Sequence, residues 1–308
     1  MERKCLFKHK KKVQISKAVL LYKGQKKWVY IFMIPTIVIF CMFYLVPICT
    51  AIGTSFTKWN GSVSPEYIGL SNYIKLFENK VFLIAIRNLL YWSLIAATAH
   101  VGFGVLVALV LARKPRGSNI VRIAMLFPNV ISVSAWAMIY RYFFNDEIGL
   151  LNSFIRIFIP DFSLPWFYQS PAAFWAITIT WVFFAGIVTL TVYNDLMAIP
   201  ASLSEAAKID GATEFQIATR IQLPLCRYSI GTGIIMSITA RISMYEKIVL
   251  TSRGGPGDDT MALSIMMVNA VQDMRYGYAN AIAVIMILLG ILVMGVINKL
   301  MHMDESTY

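Results

Sequence analysis

The sequence predicts an all-α integral membrane protein with six transmembrane helices and with both termini in the cytoplasm. Of its 308 residues, 58% are hydrophobic and only 14% are charged, a composition that soluble domains do not have. A run of about 20 apolar residues is long enough to cross the hydrocarbon core of a bilayer. Six such runs lie near Trp28–Phe56, Asn88–Ala112, Val121–Phe144, Ala172–Tyr193, Tyr228–Leu250 and Tyr278–Leu300.

The positive charge of the chain is concentrated before the first apolar run. The formal net charge is +12. Basic segments beside membrane helices remain in the cytoplasm, so this distribution predicts a cytoplasmic N-terminus. The segment lacks the aromatic interleaving on which nucleic-acid bases stack, and we predict no nucleic-acid partner. The basic residues, opposed only by Glu2, are Arg3, Lys4, Lys8, Lys10, Lys11, Lys12, Lys17, Lys23, Lys26 and Lys27.

The charges of the later loops agree with this orientation. The loop between the second and third runs carries Arg113, Lys114, Arg116 and Arg122 without an acid, which predicts a cytoplasmic loop. The next connection carries Asp146, Glu147 and Asp161 and is predicted to lie outside. We therefore divide the chain into a basic cytoplasmic tail (1–27), a six-span domain (28–301) with a polar cytoplasmic loop (198–224), and a short cytoplasmic tail (302–308).

The polar loop at residues 198–224, here called the elbow, is predicted to contain two short helices. Ser202 and Glu205 have the S-x-x-E spacing of a capping box, which predicts a helix start. Gly211 can adopt the left-handed conformation that ends such a helix. Thr213 and Gln216 repeat the capping spacing, and Pro224 is predicted to lie just past the end of the second helix. A bent helix pair projecting from a membrane protein predicts a docking surface for a partner.

The elbow resembles the "EAA" loop of permease subunits of ATP-binding cassette (ABC) importers. In that family the loop is a coupling helix that fits a groove on the ATPase subunit. Glu205 could instead only complete a helix cap, and the two interpretations are compatible because a cap also orients the side chain. The residues that carry the resemblance, and that it implies in ATPase docking, are Glu205, Ala206, Ala207, Asp210, Gly211 and Ala212, followed by Leu223-Pro224.

Three further segments resemble the carbohydrate branch of the same family. Ile68–Tyr73 is similar to its "F-x-GL-x-NY" segment, Arg253–Thr260 to its "T-x-GGP-x-x-x-T" turn, and Tyr276–Ala281 to its "YGYA-x-A" segment. From the residues alone, Gly254–Gly257 is predicted to be a tight turn, because this sequence cannot continue a helix. With these segments the resemblance covers about Val29 to Leu300.

Polar groups and aromatic rings inside the apolar runs are the candidates for a substrate pathway, because lipid penalises polar side chains and a lined cavity does not. Asn129 follows Pro128 at a position where a helix is broken, and its amide both donates and accepts hydrogen bonds. Aromatic rings can stack on sugar faces, although within a span they more often pack. The candidates are Asn129, Trp136, Trp181, Ser237, Arg241, Ser243, Tyr245 and Glu246.

Arg241 within the fifth run requires an explanation, and three remain open. It could extend toward the membrane surface. It could pair with Glu246, although a separation of five residues is poor for a helical contact. It could face the pathway and bind an acidic group of the substrate. Sugar permeases of this type usually have a small residue here and Phe-Asp where this chain has Tyr245-Glu246. An acidic oligosaccharide is therefore one hypothesis for the substrate.

The resemblance implies a permease subunit that imports a carbohydrate, in the form of an oligosaccharide, by alternating access. It also implies as partners a second permease in a heterodimer, two cytoplasmic ATPase subunits and an extracytoplasmic solute-binding protein. We predict no cofactor, no metal and no ATP site in this chain, since the glycine-rich turn lacks a following Lys-Ser/Thr. The alternatives are an ABC importer of a non-sugar solute, a self-contained secondary transporter, or a membrane-embedded enzyme, which would need convergent acids, bases or metal ligands.

Overall fold

The computed structural model describes residues 28–301, so the two predicted tails at 1–27 and 302–308 lie outside the described residues. The chain divides into two compact units, Met1–Thr54 and Ser55–Tyr308. The first unit contributes the helix Trp28–Ser55 (α1), which runs to the unit boundary. None of the residues in its most apolar window is buried. A helix that is apolar on all sides and exposed is suited to lipid or to a partner protein.

The second unit begins with a two-stranded antiparallel hairpin, Thr57–Lys58 (β1) and Glu66–Tyr67 (β2), in which Thr57 is paired with Tyr67. Helices follow along the rest of the unit. They are Ser71–Glu78 (α2), Lys80–Ala112 (α3), Ser118–Leu126 (α4), Val133–Phe143 (α5), Leu150–Arg156 (α6), Ala172–Val182 (α7), Gly186–Ala198 (α8), Ala201–Ile209 (α9), Glu214–Ile217 (α10), Arg227–Ile242 (α11), Glu246–Val249 (α12), Leu263–Gln272 (α13) and Tyr276–Leu300 (α14).

Four helices of the described chain are long and apolar enough to cross a membrane, namely Trp28–Ser55, Lys80–Ala112, Ala172–Ala198 and Tyr276–Leu300. A fifth results if the bent pair Ser118–Asn129 and Val133–Phe143 is one span. These spans correspond to five of the six predicted runs. The remaining run, the fifth, predicted near Tyr228–Leu250, is not continuous, because α11 ends at Ile242 and α12 begins at Glu246.

The bend in the third predicted run has a local cause. Residues Phe127–Asn129 form a 3₁₀ turn that contains Pro128, and α4 and α5 meet at 102° across this break. Proline removes a backbone donor and ends the helix before it. Ser132 then caps α5, because its hydroxyl accepts a hydrogen bond from the Ala135 N–H. Asn129 therefore lies in the 3₁₀ turn, outside the regular hydrogen-bond pattern of both α-helices.

Small residues allow three long helices to pack closely. A Cβ at Gly104 of α3 would lie 3.0 Å from the Cβ of Ala185 and 3.0 Å from Cγ1 of Val188 in α8. A Cβ at Gly233 of α11 would lie 3.2 Å from the same methyl group of Val188. Glycine at such contacts brings backbones together, which is the usual way that membrane helices associate. One buried cluster between α3, α8 and α11 results.

The segments that suggested the carbohydrate branch have structural roles. Asn72 donates from Nδ2 to the carbonyl oxygens of Ser55 (2.8 Å) and Thr57 (2.9 Å), which fastens α2 to the hairpin. The Gly277 N–H donates to Trp59 O over 3.3 Å, which fastens the hairpin to α14. The predicted turn at 254–257 is confirmed, and the Thr260 hydroxyl closes it by donating to Gly255 O over 2.8 Å.

Candidate functional site

The elbow begins with α9, an exposed helix with no buried residue. Gly211 has φ +81°, as the sequence predicted. Its N–H donates to Lys208 O over 3.0 Å, and the Ala212 N–H donates to Ala207 O over 2.9 Å. These two bonds form a Schellman motif, in which the glycine ends the helix and reverses the chain. The direction in which the chain leaves α9 is therefore fixed.

The bend presents apolar side chains to the surroundings. Ile209, directly before the bend, is 87% exposed, and Phe215, directly after it, is 75% exposed. Leu203 on α9 is also exposed. Large apolar side chains grouped on a projecting helix pair are typical of a protein interaction surface. Glu205 and Ala206 are exposed beside them, whereas Ala207 is half-buried.

The structure confirms one of the two predicted capping boxes and corrects the other. The Thr213 hydroxyl accepts from the Gln216 N–H, and the Gln216 side chain accepts from the Thr213 N–H over 2.8 Å. The Ser202–Glu205 box is wrong. Helix α9 already begins at Ala201 after Pro200, with no side-chain cap. Proline disfavours the helical conformation in the residue before it, so α8 ends before Pro200, α9 begins directly after it, and Ser202 falls inside the first turn.

Pro224 does not lie past the end of the second elbow helix, as predicted, but within its last turn. The helix of Glu214–Ile217 continues through a π-helical turn at Ala218–Gln222 into Leu223–Leu225. A π-turn shifts the pattern of backbone hydrogen bonds by one residue. The shift occurs directly before Pro224, which has no N–H to donate. The same arrangement occurs in α1, where a π-turn at Cys41–Leu45 precedes Pro47.

A charged cluster that the sequence analysis did not identify connects the elbow to the end of α3. Glu214 Oε1 lies 2.8 Å from Lys208 Nζ of α9, and Glu214 Oε2 lies 3.7 Å from Arg113 Nη2. The hydrogen bond and the charge of Lys208 lower the pKa of the Glu214 carboxyl, and Arg113 lowers it further. Arg113 is distant from Glu214 in sequence, and Lys208 lies on the other side of the bend at Gly211, so spacing alone did not reveal these contacts.

A cavity of about 200 Å³ lies among the long helices. Five predicted pathway residues line it: Asn129, Trp136, Trp181, Ser237 and Arg241. The other lining residues are His100, Pro128, Thr180, Phe184, Ala185, Ile187, Val188, Met236, Ala240 and Lys247. The candidates on α5, α7 and α11 and at the α4–α5 break therefore lie around one cavity.

The other three predicted pathway residues do not line the cavity. Ser243 is exposed, and its hydroxyl donates to Thr239 O over 3.2 Å. Tyr245 packs against a hydrophobic cluster. Glu246 is exposed at the start of α12. The break after Ile242 explains the difference, because it changes the direction in which residues 243–246 point relative to a continuous helix.

Arg241 lies on the ring of Trp181, with 4.0 Å from Cζ to the ring centroid. Its Nη1 contacts Met244 Sδ at 3.6 Å. Its buried Nε makes no hydrogen bond within residues 28–301. Arg241 does not pair with Glu246, because no ion pair in the described chain includes either residue. The contact with a buried indole also argues against extension toward the membrane surface.

Lys247 is a second cation at this cavity, and the sequence analysis did not identify it. Its Nζ lies 4.7 Å from the centroid of the Trp136 ring. An Arg or Lys at the centre of a membrane helix costs about 2.5–3.5 kcal/mol on insertion scales. A cation above an aromatic ring recovers about 0.5–2 kcal/mol. The ring contacts thus offset only part of the cost of placing two cations here.

His100 also lines the cavity, and its hydrogen bonds place a proton on Nδ1. Nδ1 lies 3.0 Å from Val182 O and 3.1 Å from Trp181 O. Carbonyl oxygens only accept, so Nδ1 carries a proton and donates to them. The π-turn of α3 at Ala96–His100 places the ring beside α7. The Trp181 Nε1–H has no acceptor within residues 28–301.

A multi-span helical protein with a projecting helix pair and a polar cavity between its spans belongs to the class of membrane transport subunits. The particular family is also clear. The chain belongs to the family described as "Binding-protein-dependent transport system inner membrane component", which matches residues 100–302. The predicted family, permeases of the ABC type, and the multi-pass membrane location are thereby confirmed.

Curated relatives agree along most of the chain. The chain is 30% identical over 269 residues to the probable ABC transporter permease protein YurN of Bacillus subtilis, covering 84% of this chain and 91% of that protein. It is 29% identical to the multiple sugar-binding transport system permease protein MsmF of Streptococcus mutans, covering 86% and 92%. It is 31% identical to the diacetylchitobiose uptake system permease protein NgcF of Streptomyces coelicolor, covering 80% and 74%.

Solved structures support the fold. A chain in the crystal structure of a bacterial alginate ABC transporter, in complex with an alginate pentasaccharide-bound periplasmic protein, matches with a TM-score of 0.76. The match covers 91% of this chain and 96% of the other at 22% sequence identity. At this identity the likeness establishes the architecture.

Proposed function

We propose that this chain is the permease subunit of an ABC importer that moves a carbohydrate, in the form of an oligosaccharide, into the cell by alternating access. The observation that carries the proposal is the exposed elbow, whose bend is fixed by Gly211 and whose apolar side chains Ile209 and Phe215 have no cover within the described chain. The family membership and the names of the sugar-transport relatives support it.

In this proposal the membrane is crossed six times. The fifth crossing consists of α11 with α12 after the break, and the third is the bent pair of α4 and α5. Both termini and the elbow lie in the cytoplasm, in agreement with the basic residues of the loop at Arg113 and Lys114.

Movement of the elbow would reach the cavity through two helices. α8 leads into the elbow and contributes Ile187 and Val188 to the cavity, whereas α11 leaves it and contributes Ser237 and Arg241. At 1.5 Å per residue, each helix spans roughly 15 Å between elbow and cavity. A hydrogen bond from the Ser229 hydroxyl to the Asp195 carboxylate joins the two helices near the elbow. An ATPase that displaces the elbow as a rigid body would thus displace two walls of the cavity.

The proposed partners are two cytoplasmic ATPase subunits at the elbow, a second permease in a heterodimer, and an extracytoplasmic solute-binding protein. The family description supports the last of these. The size of the cavity supports the second permease. At about 200 Å³ it is smaller than the 300–1,000 Å³ typical of sites for small molecules, so a pathway for an oligosaccharide needs a facing subunit.

The proposed substrate extends to an acidic oligosaccharide. Arg241 lines the cavity, and no carboxylate of the described chain pairs with it. A guanidinium can bind a carboxylate with two parallel hydrogen bonds. A sugar acid would therefore meet a group suited to it.

Co-purification with the ATPase subunits tests the proposed docking. We expect Glu205→Ala and Gly211→Pro to reduce recovery of the ATPase and to abolish ATP-driven uptake. Glu78→Ala serves as the matched control, because Glu78 is an exposed acid at the end of α2, outside the elbow. Uptake by this polypeptide alone, without ATPase subunits, would instead identify a secondary transporter.

A further inference from the structure

Among the described residues that line the cavity, two have cationic side chains and none has an acidic one. Arg241 and Lys247 both line it, and the break between α11 and α12 brings them to the same space although they are six positions apart. None of the ion pairs of residues 28–301 includes either cation. Charges removed from water are ordinarily paired, whereas the described chain provides no counter-charge for these two half-buried cations.

The hydrogen-bonding groups show the same imbalance. The Arg241 Nε–H and the Trp181 Nε1–H are buried without an acceptor in the described part of the chain. The Lys247 side chain is half-buried, and none of the ion pairs of residues 28–301 includes it. An unsatisfied buried donor is rare in native proteins and calls for an explanation. A ligand that brings negatively charged oxygens would supply acceptors to all three groups.

Each cation lies on its own indole, Arg241 on Trp181 and Lys247 on Trp136. The rings come from α7 and α5, so the two cation–ring pairs are held by different helices. The cavity thus contains two similar units, each with a flat apolar surface and one positive charge. A sugar acid has an apolar C–H face and one carboxylate, which matches a unit of this kind.

We infer that this cavity recognises an oligosaccharide of uronic acids through two charge contacts, with Arg241 binding the carboxylate of one sugar and Lys247 that of its neighbour. Lys247 is therefore a specificity-determining residue of equal weight to Arg241. This inference rests on the proposed function and names the substrate class of the same site. A neutral oligosaccharide would leave both cations unpaired, so the site discriminates against it.

The test is binding of matched oligosaccharides to the assembled transporter in lipid nanodiscs, measured by calorimetry. The probes are trimers of galacturonate, mannuronate and guluronate, each compared with its carboxyl-reduced neutral form. Hydrogen bonds to charged groups contribute enough to change affinity by about tenfold to a hundredfold. We expect at least one acidic trimer to bind tenfold or more tightly than its neutral form.

Arg241→Gln and Lys247→Gln should each lower the affinity for that acidic trimer by about tenfold or more, while the affinity for the neutral form stays unchanged. Lys247→Arg should retain the preference for the acid. Glu246→Gln, at an exposed neighbour outside the cavity, should change neither affinity. Unchanged neutral binding also shows that the variants are folded.

Two outcomes would overturn the inference. One is a wild-type transporter that binds no acidic trimer more tightly than its neutral form. The other is a variant that loses acidic and neutral binding equally. Neither concerns the proposed ATP-driven import of a carbohydrate, which is measured separately by ATPase co-purification and ATP-driven uptake. If the ATPase does not assemble with this chain, the proposed function fails, whatever the charge of the preferred sugar.

Discussion

Gly277 lies directly against the backbone of Thr57. A Cβ at Gly277 would be 1.9 Å from the carbonyl oxygen of Thr57 and 3.3 Å from Nδ2 of Asn72. The contact joins the first turn of α14 to the β1–β2 hairpin. It explains why a glycine follows Tyr276. Any larger residue at position 277 would clash with the Thr57 carbonyl, and only a movement of the backbone could relieve that clash.

Gly277→Ala should therefore destabilise the protein, by about 1–3 kcal/mol for an overpacked buried contact. Thermal unfolding of the purified permease in detergent measures the effect, and a midpoint lowered by several degrees is expected. Gly290→Ala is the matched control on the same helix, where a Cβ meets nothing within 4 Å. An equal loss in both variants would show that helix flexibility, and not the contact with Thr57, is responsible.

Asn88→Ala should open the turn that follows α12. The buried Asn88 amide donates from Nδ2 to Asp259 O over 2.9 Å and to Met261 O over 3.0 Å. Its loss leaves two carbonyls without this donor, at a cost of about 1–3 kcal/mol. Thermal unfolding and proteolysis at the turn measure the change, with the exposed Asn194→Ala as control. Unchanged cleavage in Asn88→Ala would contradict the role of the amide.

Local physics accounts for what the sequence predicted well. The apolar runs and the bend at Gly211 depend on neighbouring residues, and so does the Thr213–Gln216 capping box. The positions of Lys247 and Glu214 depend on contacts that sequence spacing does not reveal. Lys247 reaches the cavity only because the helix of the fifth run ends at Ile242. Residues 243–245 contain no proline or glycine from which this break could be predicted.

Structure that sequence spacing does not reveal also explains the two wrong predictions at the ends of the elbow helices. Ser202 had the spacing of a cap, but Pro200 starts the helix earlier. Pro224 is a helix breaker in isolation, but the π-turn at Ala218–Gln222 adjusts the ladder before it. In both cases the conformation of the surrounding backbone, and not the single residue, determines where the helix begins or continues. The pathway candidates on α5, α7 and α11 line one cavity, in agreement with the tendency of polar groups within apolar spans to face the interior.

The Glu214 cluster should respond to pH. Because Lys208 and Arg113 lower the Glu214 pKa, its contribution to stability is present above the unfolded-state pKa, which is about 4.3 for a glutamate. The contribution is lost as the pH falls through the lower folded-state value. Glu214→Gln removes it at every pH. The unfolding midpoints of wild type and Glu214→Gln should therefore differ at neutral pH and converge in acid.

Thermal unfolding between neutral pH and about pH 3 measures this difference. Glu78→Gln provides the control, since it alters an exposed acid for which no ion pair occurs within residues 28–301. A difference between wild type and Glu214→Gln that stays constant with pH would contradict the ion-pair explanation. Higher salt should reduce the difference, because exposed pairs are screened.

Gly211→Ala separates the stability of the elbow from its function. Gly211 (φ +81°) and Gly69 (φ +60°) both have left-handed backbones, and a Cβ at either position meets nothing within 4 Å. Alanine at either site should therefore cost about 1–2 kcal/mol through backbone strain alone. The two variants should unfold at similarly lowered temperatures. Only Gly211→Ala should also weaken binding of the proposed ATPase subunits, because relief of this strain would change the direction of the chain between Ile209 and Phe215. Titration of the permease with the ATPase measures that affinity, and an equal weakening in Gly69→Ala would mean that general instability, and not the geometry of the elbow, governs docking.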